Sequence, residues 1–226
     1  MIVETQARAL ESAGSSSAAV YQMVSRVLSK HHKGGGTLID VGCGSGQLWH
    51  YINQKCDHYI GVDINQYDGF PEEAHFFAHN FDNGQIPLNT ASADVVVSVE
   101  TIEHLENPRA FVRDLARICK PEGFVIVTTP NQLSLLSKLT MLLKNEFNAF
   151  QEAPGLYPSH ITALLEIDLR RIFIECGLAD IDVKYTDDGR IPFTSMHWPR
   201  SLHLKGRRFS DNILCIGRKN RIEALK

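Results

Sequence analysis

Residues 37–46 read TLIDVGCGSG, an apolar run that ends in a loop with three closely spaced glycines. Glycine permits the sharp backbone turns of such a loop and lets the main chain come close to a ligand. A helix that begins after the loop would point its unpaired N–H groups at the same ligand. A dinucleotide-binding fingerprint needs GxGxxG, and Gln47 stands where its third glycine would be. The stretch therefore predicts a strand, a ligand-binding GxGxG loop and a helix.

Short β-branched runs and stretches of helical periodicity alternate along the rest of the chain. We predict strands at 37–41, 59–63, 75–79, 95–99, 124–127, 181–185 and 212–216, and helices at about 20–28, 46–55, 107–119, 133–147 and 165–176. This alternation is typical of a parallel α/β sheet. A Ser/Ala tract at 12–19 is predicted to be flexible, and 186–211 forms a long connection of the kind that often covers a binding site.

The composition is that of an ordinary globular chain. Of 226 residues, 43% are hydrophobic and 22% are charged, and the formal net charge of -3 is too small to predict binding to nucleic acid or to a membrane. Residues 200–226 are locally basic, with eight Lys and Arg side chains against two acidic ones. The five scattered cysteines form no CxxC pair, and we find neither a secretion signal nor an apolar stretch long enough to span a bilayer. These features predict free thiols and a cytoplasmic protein.

Asp63 ends the second predicted strand, a position from which a carboxylate can accept hydrogen bonds from the ribose of a nucleoside cofactor. Together with LIDVGCGSG at 38–46, the GVD of 61–63 and the KPEG of 120–123 resemble the motifs of class I S-adenosylmethionine-dependent methyltransferases. The resemblance runs from about residue 37 to residue 217. It implies S-adenosylmethionine as the cofactor and S-adenosylhomocysteine as its product.

The same resemblance implies the architecture. We expect an α/β fold with a doubly wound, mostly parallel seven-stranded sheet of Rossmann-like type between two helical layers. We also expect a single domain over residues 1–226, with substrate-covering insertions at about 131–160 and 186–211.

The resemblance further implies which residues bind the cofactor. They are Asp40, Gly42, Cys43, Gly44, Gly46, Asp63, Ile64, Asn80, Phe81, Asp82 and Glu100. By this analogy the glycines pack against the methionine portion and the sugar, Asp40 supports the loop and the amino group, and Asp63 binds the ribose diol. Asn80 is favoured over Asp82 for the adenine amino group. The alternative for both residues is a purely structural role in a turn.

A second motif, Glu100-x-x-Glu103-His104, follows the fourth predicted strand. On one helical turn these three side chains would face the same way, and with His160 they could hold a divalent metal such as Mg²⁺. The segment resembles the Glu-x-x-Glu-His of ubiquinone-biosynthesis O-methyltransferases and of small-RNA 2′-O-methyltransferases, where it binds a metal. The alternative is a histidine that lines the pocket or caps a helix without any metal.

For catalysis we expect His104, and as second candidate His160, to accept the proton of an acceptor hydroxyl. We predict methyl transfer to a small-molecule, lipid or glycan acceptor, with oxygen as the methylated atom. We do not expect a nucleic-acid substrate, whereas the aromatic and basic residues of 186–211 would allow peripheral contact with a membrane. The alternatives are a non-catalytic module that binds S-adenosylmethionine and a nicotinamide-dependent dehydrogenase. The oligomeric state stays open.

Overall fold

A computed structural model describes residues 14–153 and 155–221, and its centre is a seven-stranded sheet. The strands are β1 (Thr37–Val41), β2 (His58–Asp63), β3 (His75–Ala78), β4 (Ala93–Ser98), β5 (Cys119–Pro130), β6 (Leu178–Tyr185) and β7 (Asn212–Lys219). Their order is β3-β2-β1-β4-β5-β7-β6, in which only β7 runs antiparallel to its neighbours. The mostly parallel seven-stranded sheet predicted above is confirmed.

The strand order reverses between β1 and β4. From β1 the chain moves outward to β2 and β3, then returns and continues on the other side through β4 and β5. The loops that follow β1 and β4 therefore leave in opposite directions and open a crevice at the carboxyl edge of the sheet. Doubly wound α/β proteins bind their ligands at this switch point.

The described residues contain five helices, and four of them contribute buried side chains to the cores on the two faces of the sheet. The five are α1 (Ala18–His31), α2 (Trp49–Ile52), α3 (Pro108–Ile118), α4 (Leu135–Lys144) and α5 (Glu166–Glu175). Side chains alternate between the faces of a strand, so Leu38 joins a core with α1 and α2, whereas Ile39 and Val41 join a second core with α3 and α5. This gives the three-layer α/β/α sandwich that we expected.

Two elements differ from their predicted bounds near the crevice. The helix expected at 46–55 contains only α2, followed by a 3₁₀ turn at Asn53–Lys55, because Gly46 has φ +75° and cannot open a right-handed helix. Strand β5, expected at 124–127, extends to Pro130 because Thr128 to Pro130 pair with β7. This extension carries Thr128 and Thr129 to the edge of the sheet where the crevice lies.

The segment 186–211 has little regular structure but is tied to the body of the fold. It contains a bridge between Arg190 and His197 and a 3₁₀ turn at Arg200–Leu202. Asp187 forms ion pairs with Arg26 of α1 and with Lys205. Among the described residues, every helix is too short or too polar to cross a bilayer.

Candidate active site

A cavity of about 340 Å³ opens at the switch point, between the loops that follow β1 and β4. Its lining contains ten of the predicted site residues: Asp40, Gly42, Cys43, Asp63, Ile64, Asn80, Phe81, Glu100, His104 and His160. Gly44, Gly46, Asp82 and Glu103 lie outside the lining. The fold thus gathers into one cavity residues that are up to 120 positions apart in the sequence.

The glycine loop is packed so tightly that two of its positions admit no side chain. A Cβ at Gly42 would overlap the side chain of Thr101, and a Cβ at Gly44 would overlap the carbonyl oxygen of Gly14. Both glycines also have positive φ angles, +79° and +51°. Gly42 lines the cavity, whereas Gly44 lies outside the cavity lining and packs against Gly14 in the segment before α1.

Two aspartates lie at the ends of neighbouring strands beside the loop, and one of them, Asp63, is hydrogen-bonded to it. The Asp63 carboxylate accepts hydrogen bonds from the N–H groups of Gly44 (2.8 Å) and Ile64 (2.7 Å). The Tyr59 hydroxyl donates to Oδ2 of Asp40 at 2.6 Å, while Oδ1 of Asp40 is buried and has no hydrogen-bond partner. Burial raises the pKa of Asp40 to about 7 and also raises the pKa of Asp63. An unpaired buried carboxylate oxygen on a cavity wall is suited to bind a cationic group.

The two candidates for the adenine contact occupy different positions. Asn80 and Phe81 line the cavity, whereas Asp82 lies behind it and accepts a hydrogen bond from the N–H of Glu106 at 3.1 Å. The Asn80 side chain also accepts from the N–H of Asp82 at 3.0 Å, which is the turn-forming role. Asn80 therefore combines the turn role with a place on the cavity wall.

The segment after β4 is not the helical turn that the spacing predicted. Glu100 has φ +48° and precedes a 3₁₀ turn at Ile102–His104. Its carboxylate accepts hydrogen bonds from Thr128 Oγ1 (2.9 Å) and Asn212 Nδ2 (2.7 Å). The helical turn on which a shared face of Glu100, Glu103 and His104 depended is therefore absent from this segment, while Glu100 as a metal ligand stays a prediction.

Glu103, His104 and His160 do come together. Their potential ligand atoms all lie within 4.8 Å of one another. Glu103 is fully buried, with Oε2 accepting from Thr129 Oγ1 at 3.1 Å and Oε1 lacking a hydrogen-bond partner. Oε1 lies 3.9 Å from Nε2 of His160. Burial and the nearby charge of Glu100 raise the pKa of Glu103.

The two imidazoles are oriented by backbone carbonyls. Nδ1 of His104 lies 2.9 Å from the carbonyl oxygen of Ser159, and Nδ1 of His160 lies 3.0 Å from that of Ala149. A carbonyl can only accept, so each Nδ1 carries a proton in these contacts. The rings meet edge to face with centroids 4.7 Å apart. Burial, together with His104, lowers the pKa of His160 to about 4, so His160 is neutral at physiological pH.

Several cavity residues escaped the sequence analysis. The tract predicted to be flexible contributes Gly14 to Ser17, and α1 contributes Tyr21; residues 12 and 13 of that tract lie outside the described residues. Asn212 enters from the first position of β7. For residues 14–17, the only signal in the sequence was a serine-rich stretch directly before a helix. Asn212 had no signal in the sequence, because its position depends on the pairing of β7 with β5.

Comparison with known proteins identifies the family. A family model described as "Methyltransferase domain" matches residues 17–183, well over half of the chain. A Mycolicibacterium smegmatis protein named "Probable S-adenosylmethionine-dependent methyltransferase" is 29% identical over 69% of this chain and 62% of its own length. A "Ubiquinone biosynthesis O-methyltransferase" from Maricaulis maris is 31% identical over 43% of this chain and 41% of its own length. The chain therefore belongs to the methyltransferase domain family.

Solved structures agree with this assignment at the level of the fold. A SAM-dependent methyltransferase from Archaeoglobus fulgidus superposes with a TM-score of 0.62 at 17% identity, covering 88% of this chain and 94% of that one. The two curated relatives are longer, and this chain spans less than two thirds of either. The class I methyltransferase fold that the motifs implied is confirmed.

Proposed function

We propose that the chain transfers the methyl group of S-adenosylmethionine to a hydroxyl oxygen of a small-molecule, lipid or glycan acceptor. The observation that carries this proposal is the single cavity that joins Asp40 and Asp63 to two imidazoles whose Nδ1 atoms are held by backbone carbonyls. The Maricaulis maris relative, whose name specifies O-methylation, supports oxygen as the acceptor atom.

The residues of the cavity fit the parts of the cofactor. The unpaired Oδ1 of Asp40 suits the ammonium group. Asp63 suits the ribose diol because its Oδ2, which accepts from the N–H of Gly44, has a second lone pair. Asn80 and Phe81 offer an amide and an aromatic face for adenine. Family membership favours this cofactor over the nicotinamide cofactor of a dehydrogenase.

The bound cofactor supplies a methyl group that its sulfonium charge already activates. The protein must then orient the acceptor oxygen and exclude water. Nε2 of His104 is the proton acceptor for the hydroxyl, because its tautomer is fixed by Ser159 and it lines the cavity. His160, neutral and edge-on to His104, is the second candidate.

As an alternative use of the same atoms, we propose that Glu103, His104 and His160 hold a divalent cation, in which case Nε2 of His104 is a metal ligand and does not itself accept the proton. Each histidine donates its Nδ1 proton to a backbone carbonyl, an arrangement typical of metal-binding histidines. The carboxylate oxygen that would complete the set is buried and unpaired. Among the divalent cations that the sequence allows, two nitrogens and one oxygen suit Zn²⁺, Fe²⁺ or Mn²⁺ better than Mg²⁺. A bound cation would supply Lewis acidity toward the acceptor oxygen.

The segments 131–160 and 186–211 are proposed to cover the acceptor. Between them lies a second cavity of about 330 Å³, lined in part by Leu136, Leu143 and Phe193. Leu143 and Phe193 are 66% and 71% exposed, so this region offers apolar surface for an acceptor or for peripheral contact with a membrane.

The test is methyl transfer in extract fractions. The purified protein would be incubated with S-adenosylmethionine labelled in the methyl group and with lipid, glycan and small-molecule fractions, with Asp63→Ala as the matched control. We expect mass spectrometry to find an O-methylated product that Asp63→Ala does not form. An N-methylated product would overturn the assignment of oxygen. Cofactor binding without any product in any fraction would favour the non-catalytic module.

A further inference from the structure

The cofactor cavity is lined by acidic side chains without basic ones. The carboxylates of Asp40, Asp63 and Glu100 line it, and its lining contains neither lysine nor arginine among the described residues. None of these three carboxylates forms an ion pair with any residue that the structure describes. A negative charge inside a cavity is stabilised when a positive charge binds beside it, because little water is left to screen the two. The cavity therefore favours a cationic ligand over a neutral one of the same shape.

Glu100 is held by hydrogen-bond donors from two neighbouring strands. The hydroxyl of Thr128, a fully buried residue of β5, donates to Oε1 at 2.9 Å and accepts from the Glu100 N–H at 3.0 Å. Asn212 of β7 donates through Nδ2 to Oε2 at 2.7 Å. Both carboxylate oxygens thus act as acceptors, which is the pattern of an ionised carboxylate. These contacts fix the position of the Glu100 charge on the cavity wall.

The charge of Glu100 lies between the two halves of the cavity. Burial raises the pKa of Tyr21, and the charges of Asp40 and Glu100 raise it further. Burial also raises the pKa of Glu103, which lies beside the imidazoles, and the charge of Glu100 is the next cause. Glu100 is thus close enough to act on the Asp40 side and on the histidine side. A methyl group that passes from sulfur to an acceptor oxygen near His104 must start between these two sides.

We propose that Glu100, positioned by Thr128 and Asn212, is the counter-charge of the cofactor's sulfonium and makes the cavity select S-adenosylmethionine over S-adenosylhomocysteine. This inference rests on the proposed function, because it takes S-adenosylmethionine as the methyl donor. During transfer the bond between the methyl carbon and sulfur breaks, and its electron pair stays on sulfur. A new bond joins the methyl carbon to the acceptor oxygen, whose proton passes to His104. The sulfonium becomes a neutral thioether, so the product loses its attraction to Glu100 and is released more readily.

The experiment compares ligands that differ in charge at one position. S-adenosylmethionine has a sulfonium there, S-adenosylhomocysteine has a neutral thioether, and sinefungin has a carbon that carries an ammonium group. Glu100→Gln removes the charge and keeps the shape, since its amide oxygen can accept from Asn212 while its NH₂ group donates to the Thr128 hydroxyl. Glu106→Gln is the same substitution at an exposed position outside the cavity lining and is the matched control. Calorimetry in the presence of a chelator would give the Kd of each ligand for each protein.

We expect Glu100→Gln to lower the ratio of the S-adenosylhomocysteine Kd to the S-adenosylmethionine Kd about tenfold, because only the sulfonium loses its counter-charge. Glu106→Gln should leave this ratio unchanged. A fall of less than about threefold, or equal weakening of both ligands, would overturn the inference.

If Glu100→Gln does not fold, the unaltered protein decides. Sinefungin should bind it more tightly than S-adenosylhomocysteine does, and equal or weaker binding of sinefungin would overturn the inference. Failure of the unaltered protein to bind any of the three ligands would instead overturn the proposed function.

Discussion

Single residues decide what the motif after β4 can do. Glu100 and Glu103 are equivalent in the sequence pattern, but Glu100 adopts φ +48° and bonds to Thr128 and Asn212, whereas Glu103 lies beside two imidazoles. Spacing alone could not separate them, because the helical turn on which it relied is replaced by a strained residue and a 3₁₀ turn.

This difference predicts that two isosteric substitutions have unequal effects on metal binding. We expect Glu103→Gln to weaken binding of Zn²⁺ or Mn²⁺ at least about tenfold, because it removes a ligand charge, and Glu100→Gln to leave metal binding nearly unchanged. Calorimetric metal titrations of the two variants would measure this directly. Equal losses would restore the set of ligands expected from sequence and contradict the geometry.

Asp40 is predicted to make the stability of the protein depend on pH. Its pKa is about 7 in the folded protein against an ordinary value of 3.8, so between these pH values the folded state retains a proton that the unfolded chain has released. Stability therefore falls as the pH rises through this window. We expect Asp40→Asn, which has no carboxyl to ionise, to be more stable than the unaltered protein by about 1–3 kcal/mol at pH 8, with a smaller difference at pH 5.

Melting curves at the two pH values, without cofactor, would measure the effect of Asp40→Asn. Asp68→Asn, at an exposed loop position, is the control and should show no such pH dependence. The same Asp40→Asn variant should lose affinity for S-adenosylhomocysteine. A variant that is less stable at pH 8 and binds the cofactor normally would show that Asp40 has a purely structural role.

At the scale of elements, the sequence predicted the strands and the crevice well and the ends of elements less well. Local signals predicted several elements closely. They are the apolar runs of β1, β2 and β4 and the start of α3 at Asn107, whose side chain accepts a hydrogen bond from the N–H of Ala110. The extension of β5 and the place of residues 14–17 depend on contacts with distant parts of the chain. Such contacts leave no periodicity to detect.

Asn131 links the two proposed covering segments. Its buried Nδ2 donates to the carbonyl oxygens of Arg207 (2.9 Å) and Ser210 (2.8 Å). We expect Asn131→Ala to remove both hydrogen bonds and to leave the buried Ser210 carbonyl without this donor. The change should cost about 1–3 kcal/mol and speed proteolysis within 186–211. Limited proteolysis and thermal melting would measure both effects, with the exposed Asn89→Ala as control. Unchanged cleavage would show that other contacts hold the segment.

At the scale of the whole molecule, topology explains why one cavity collects residues from the entire chain. The reversal of strand order between β1 and β4 places the glycine loop opposite the histidine pair, and β7 closes the far side with Asn212. The sheet order is shared with a large family, so the fold and cofactor class could be predicted from a few motifs. The acceptor depends on the covering segments, whose irregular structure carries no comparable signature.

The most direct test of the central claim is calorimetry of the purified protein with S-adenosylhomocysteine, with NAD as the competing ligand. We expect S-adenosylhomocysteine to bind one site per chain and NAD to give no heat of binding, because the GxGxG loop and the small cavity suit a single adenosine with an amino-acid tail. Binding of NAD without binding of S-adenosylhomocysteine would contradict the methyltransferase assignment at its foundation.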